Sequence, residues 1–100
     1  MIIYLAGKIT GDPDYRAKFA EAKAKLEAEG HIVLNPAELP EGMSKAAYMR
    51  ICFAMIDTAD ELRAVPGWVD SDVALLEIDY CLYIKKPAAY VNGYKIGGAE

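Results

Sequence analysis

The sequence predicts a single α/β domain of flavodoxin-like type. A four-stranded parallel sheet in the order 2-1-3-4 is sandwiched between about three helices in three layers. Short continuous apolar runs alternate with longer segments whose apolar residues recur at helical spacing. Glycine, proline or asparagine punctuates the boundaries between them. The chain has 100 residues, 54% of them hydrophobic, enough for one core. Helical crossovers between buried strands make the sheet parallel. Right-handed crossovers leave 2-1-3-4 as the simplest order.

Ile2 to Leu5 is an unbroken apolar run ending at Ala6-Gly7, and reads as a buried strand. Asp12-Pro13 then predicts an N-cap followed by proline at the first helical position. Tyr15, Phe19, Ala22 and Leu26 form the inner stripe of the first helix, and Glu21 is placed to pair with Lys25 four residues on. Gly30 stops the helix. Ile32-Val33-Leu34 is the second strand, and residues 35–44, with Pro36, Pro40 and Gly42, form a loop. Ser44 caps a second helix through roughly Thr58, with Tyr48, Cys52, Met55 and Ile56 on its inner side. Leu62 to Val65 is the third strand, although Glu61 and Arg63 make it unusually polar for a buried parallel strand. Pro66-Gly67 ends it. Ser71 caps a third helix to about Ile84, Pro87 to Val91 is the fourth strand, and Asn92-Gly93 opens a polar tail.

Composition narrows the function classes. Lys and Arg total 11 against 15 Asp and Glu, a net charge of −4. That leaves no basic excess for a nucleic acid polymer. No apolar run reaches the length of about 18 residues that a membrane helix needs. Met1-Ile-Ile-Tyr-Leu-Ala-Gly7 lacks the basic start of a signal peptide, so the cytoplasm is the expected setting. Cys52 and Cys81, the two cysteines, suggest neither a disulfide framework nor a zinc site. Neither a metal nor a cofactor is expected.

In doubly wound sheets, ligands bind beyond the carboxyl ends of the strands, where the winding reverses. Here that places Ala6 to Asp12 and Pro66 to Ser71 at the site. The loop Gly7-Lys8-Ile9-Thr10-Gly11 leads into a helix N-terminus, whose N–H groups and dipole suit an anion. An ordinary strand-to-helix turn is the plainer alternative, because the loop lacks the Walker spacing. Glu77 has Val73, Ala74, Tyr80 and Cys81 one turn to either side, so its carboxylate shares the inward face of its helix. A carboxylate turned inward is costly unless partnered, and such groups are often functional. Tyr4, near the end of the first strand, is placed to donate a hydrogen bond to it. Trp68 is either a stacking wall or a plug over the sheet end. His31, without a second histidine or neighbouring cysteine, reads as structural. Asp60 begins the third strand at the end remote from the site.

Tyr4-Leu-Ala-Gly7, Asn35-Pro36-Ala37, Pro66-Gly67-Trp68 and Ser71 followed six residues later by Glu77 resemble a small domain family of uncharacterised function. That family is common in phages and prophages and is grouped with the nucleoside 2-deoxyribosyltransferases. The resemblance covers nearly the whole chain. It implies chemistry at the N-glycosidic bond, with Glu77 as nucleophile on the anomeric carbon and Tyr4 orienting it. A serine at the position of Ser71 is similar to the branch that hydrolyses deoxynucleoside 5′-monophosphates, where it helps hold the phosphate. The Gly7 to Gly11 loop resembles the phosphate loop of that branch. The implied partner is therefore a small nucleotide or nucleoside. The tail from Asn92 to Glu100 allows a homodimer in which it reaches a neighbouring subunit. Two departures stand out. Relatives carry an aspartate after an arginine early in the second helix, whereas Arg50 here is followed by Ile51, Cys52 and Phe53. Val73 stands where relatives often have glycine. A nucleotide-binding module with weak catalysis and a phage-type accessory protein remain the alternatives to an N-glycosidase or transferase.

Overall fold

The structure, a computed structural model, describes residues 1–96. Its elements run β1 (Ile2–Ala6), α1 (Tyr15–Ala28), β2 (Ile32–Leu34), α2 (Lys45–Thr58), β3 (Glu61–Ala64), α3 (Asp72–Tyr83) and β4 (Ala88–Tyr90). The strands form one sheet in the order β2-β1-β3-β4, parallel throughout. This is the flavodoxin-like arrangement expected from the alternation of apolar runs and helical stripes. Among the described residues no helix is long and apolar enough to cross a membrane.

β1 is central, with β2 on one side and β3 on the other, which is why its apolar run is unbroken. Alternation divides its side chains between two cores. Ile3 and Leu5 pack with Phe19, Ala22 and Leu26 of α1. Tyr4 and Ala6 pack with Cys52 and Ile56 of α2 and with Ala74, Ile78 and Cys81 of α3. One face of the sheet therefore carries one helix and the other carries two.

That asymmetry explains the polar third strand. A helix is about 10 Å across and strands lie about 4.8 Å apart, so one helix covers roughly two strands. Glu61 and Arg63 fall two apart on the face that α1 only partly covers. They pair with each other there, and Arg63 Nη1 also donates to the Val91 carbonyl at 3.4 Å. Arg63 is thus buried with its charge matched.

Two local details differ from the sequence reading. α1 begins at Tyr15, two residues beyond Pro13, with Asp14 as its N-cap. Asp12 caps no helix; its Oδ1 accepts from Asp14 N at 2.9 Å, closing an Asx turn, and its Oδ2 accepts from Lys18 Nζ at 2.8 Å. Lys25 pairs with Glu29 at 2.6 Å rather than with Glu21, since acids stand four residues away on both sides. The serine caps are as expected: Ser44 Oγ accepts from Ala47 N and Ser71 Oγ from Ala74 N, each at 3.1 Å.

After β4 the chain turns at Asn92-Gly93 and returns. Tyr90 N donates to Tyr94 O at 2.7 Å and Ile96 N to Ala88 O at 2.9 Å. The segment read as a polar tail thus starts as a strap on the free edge of β4, occupying groups that an open edge would expose. The reach of the Asn92 to Glu100 segment toward another subunit depends on residues 97–100, which lie outside the described residues.

The chain leaves β1 through a tight passage at Gly7, where an added Cβ would meet Phe19 Cζ and Val65 Cβ, both at 3.0 Å. Gly7→Ala is therefore expected to destabilise the fold by about 1–3 kcal/mol, as overpacking does. Urea denaturation checks this: the midpoint should fall at an unchanged slope. An unchanged midpoint would mean that the α1–β3 contact parts to admit a methyl group without cost.

Candidate functional site

Glu77 lies on the inner face of α3, among Ala74, Ile78 and Cys81, and is only 2% exposed. α3 packs across β1, which brings this carboxylate over the end of the first strand. There the Tyr4 hydroxyl donates to Glu77 Oε2 at 2.9 Å. Tyr4 is itself buried, and it is the only side chain among the described residues that donates to Glu77.

Burial pushes the Glu77 carboxyl up to about 7, and the tyrosine hydrogen bond offsets part of that rise. The Tyr4 phenol is held well above its ordinary value, first by burial and then by the charge of Glu77. Tyr4 therefore keeps its proton and remains the donor across neutral pH. Cys52 of α2 lies on the same floor, and burial raises its thiol as well. It is a neutral thiol there, not a reactive thiolate.

Above this floor opens a cavity of about 760 Å³, within the usual range for small-molecule sites. Its walls come from five places: the loop after β1, the first turn of α1, the 36–41 segment after β2, the first two turns of α2, and the start of α3. Because helices run antiparallel to the strands they follow, the N-termini of α2 and α3 both open toward this end of the sheet.

The structure gathers most of the sequence-predicted residues here. Tyr4, Gly7, Lys8, Ile9, Thr10, Ser71 and Glu77 all line the cavity. The Ser71 oxygen accepts the Ala74 amide, which leaves the hydroxyl hydrogen free to donate. Val73, one turn before Glu77, lines the wall with its branched side chain.

Gly11 and Trp68 stand apart. Gly11 sits in the turn before α1 with φ +84°. Trp68 lines a second, smaller cleft of about 370 Å³ with Tyr90, their rings 6.0 Å apart. The cause is the 3-10 turn Trp68–Asp70, entered through Gly67 at φ +94°. It sends Trp68 and Val69 to one cavity and Asp70 and Ser71 to the other. His31 and Asp60 lie at the opposite end of the sheet. Asp60 Oδ2 accepts from Ile2 N at 2.8 Å, and His31 Nδ1 is 3.3 Å from the terminal amine.

One wall was missed in the sequence. Lys45, Tyr48, Met49 and Cys52 line the cavity from α2. Their spacing of three, four and seven residues marks one face of a helix, and Ser44 marks where that helix starts. The signal was present, but no single residue in it carries a chemical signature. Tyr15, from the first turn of α1, was read as core and in fact also lines the cavity.

Charge is distributed unevenly around the mouth. Asp70 and Asp72 stand exposed on the rim, and Glu41 is taken by Arg16 at 2.7 Å. Lys8 and Lys45 are the two lysines of the cavity, and neither makes an ion pair among the described residues. By contrast Arg16, Lys18, Lys23, Lys25 and Arg63 are each matched by an acid. Among the described residues no cluster of His, Cys, Asp and Glu is arranged to hold a metal.

A family model described as a domain of unknown function, DUF4406, matches residues 1–90 of the chain. Comparison with curated proteins finds no match.

The raised carboxyl of Glu77 ties stability to pH. The folded state holds its proton up to about 7, whereas the unfolded chain releases it near 4.5. The stability this contributes is present below about pH 4.5 and is lost as pH rises to about 7. Glu77→Gln removes the penalty while still accepting from Tyr4. It should exceed the wild type at pH 8 by up to about 3 kcal/mol and show little of that gain near pH 4.5. Urea titrations at both pH values measure the difference; a gap that does not change with pH would put the Glu77 carboxyl at its ordinary value.

Proposed function

We propose that this chain, which belongs to the DUF4406 family, breaks the N-glycosidic bond of a deoxynucleoside 5′-monophosphate, with a kinship to the nucleoside 2-deoxyribosyltransferases. The observation that carries this reading is the Glu77 carboxylate, buried, held by Tyr4, and set in the floor of a cavity of small-molecule size.

Glu77 acts as the nucleophile. The bond between the sugar's anomeric carbon and the base nitrogen breaks, and its electron pair leaves with the base, which takes a proton from solvent. A Glu77 oxygen closes on the developing oxocarbenium centre to give a glycosyl ester. Water then attacks the same carbon, the carboxylate is released, and the water proton goes to solvent. A 2-deoxy sugar lacks the electron-withdrawing hydroxyl that would oppose this charge. Tyr4 holds one carboxylate oxygen and leaves the other for the sugar. Lys8, the backbone of the Gly7–Thr10 loop, the Ser71 hydroxyl and the N-terminus of α3 form the phosphate grip.

One observation favours a second reading, a nucleotide-binding module with weak turnover. The α2 wall presents Cys52 beside Tyr4, and that buried thiol stays neutral. Among the described residues no second acid shares the floor with Glu77 to protonate the departing base, and a missing proton donor typically lowers a rate by about 10²–10⁴.

Incubation with the four common deoxynucleoside monophosphates, followed by chromatography for free base, tests both readings. Base release should vanish in Glu77→Ala. It should rise tenfold per pH unit up to about 7 and level off above, because only the ionised carboxylate attacks. Tyr4→Phe removes the hydrogen bond that favours the ionised form, so its profile should move to higher pH. Melting-temperature shifts with nucleotide but without released base would establish the binding module. Neither shift nor base would sink both.

A further inference from the structure

We infer that Lys45 selects the base, and that the cavity prefers a 6-oxopurine deoxynucleotide to a 6-aminopurine one; the inference rests on the nucleotide reading above. The cavity has two unlike ends. Toward α3 and the loop after β1 stand Lys8, Thr10, Ser71 and Glu77, the groups suited to a sugar phosphate. Toward α2 and the 36–41 segment the walls are Leu39, Met49 and the rings of Tyr15 and Tyr48, a surface suited to a flat heterocycle.

The polar groups at that second end are nearly all committed. The Tyr48 hydroxyl donates to the Pro40 carbonyl and accepts from Met43 N at 3.4 Å. The Tyr15 hydroxyl donates to Glu41 Oε2 at 3.4 Å, and the same oxygen accepts from Arg16 Nη2 at 2.7 Å. Lys45 remains. It is the first residue of α2, its ammonium makes no ion pair among the described residues, and it lines the cavity.

An ammonium donates and cannot accept. A 6-oxopurine offers it two adjacent acceptors, O6 and N7, whereas a 6-aminopurine sets a donor beside N7. Lys45 therefore meets two acceptors in hypoxanthine or guanine, and one acceptor flanked by a mismatched donor in adenine. Rejection of the amino base follows from that unpaired donor, more than from any gain in contact area.

Deoxyinosine and deoxyadenosine 5′-monophosphate share N7, sugar and phosphate, and differ at the C6 substituent and in the proton on the neighbouring N1, so the Lys45 variant below isolates the O6/N7 edge. Titration calorimetry on the intact chain, using the Glu77→Gln variant to prevent turnover, compares them. The inosine nucleotide should bind about tenfold more tightly. Lys45→Met should remove that ratio, while an unchanged melting temperature without ligand shows that the fold is intact. Lowered affinity for both nucleotides in equal measure would mean that Lys45 acts only as a general cation, and overturns the inference. Equal affinities in the presence of Lys45, or a ratio that survives its loss, also overturn it and leave the glycosidic reading standing. Absence of binding by either nucleotide overturns both.

Discussion

A carboxylate placed in the core needs a reason to be there, and in this fold it needs a partner. Glu77 occupies a position on α3 that an apolar residue would fill at no electrostatic cost. Its one side-chain partner among the described residues, Tyr4, comes from the central strand. The contact ties α3 to β1 across 73 residues of chain and sets how the third helix lies over the sheet end. The same burial that raises the acid keeps the phenol protonated. The pair therefore combines a carboxyl near its titration point with a donor that does not titrate near neutrality.

The rest of the site follows from how the chain turns at the carboxyl ends of its strands. Serine caps start α2 and α3 at that end, so both helices point N–H groups toward the cavity. The loop after β1 passes so close to Phe19 and Val65 that a side chain at Gly7 would crowd both. Its backbone then runs along the mouth. The 36–41 segment is held down by Tyr48 and by Arg16 reaching across from α1. Surface ion pairs of this kind add little stability, but here they also engage the polar groups of the rim, and so help decide which of them stay open to a ligand.

The two faces of the sheet solve different problems. Two helices give one face its core and the floor of the cavity. The single helix on the other face leaves the β3–β4 side to a buried arginine paired with a half-buried glutamate. The final turn from β4 closes the outer edge with backbone hydrogen bonds. These features let a chain of 100 residues support a four-stranded sheet with three helices.

Much of this was legible in the sequence, because it depends on local periodicity. Apolar runs bounded by Gly, Pro and Asn marked the strands, Ser44 and Ser71 marked helix starts, and the spacing around Glu77 showed its inward direction. These features reflect one element at a time, and helix and strand periods report which side of an element is apolar. The start of α1 was misplaced because Asp12 can serve either a cap or a turn, and only the hydrogen bond it makes distinguishes them. What the sequence could not settle was which inward faces share a space. Trp68 stands three residues before Ser71, yet a left-handed glycine sends it to a different cleft. Lys45, over thirty residues from either Tyr4 or Glu77, joins their cavity through the crossover of α2. The sequence by itself determined the fold class, the strand order and an acid turned toward the core. The tertiary structure alone decided the cavity's second wall and its uncommitted charges, because those depend on distances between elements that no local pattern encodes.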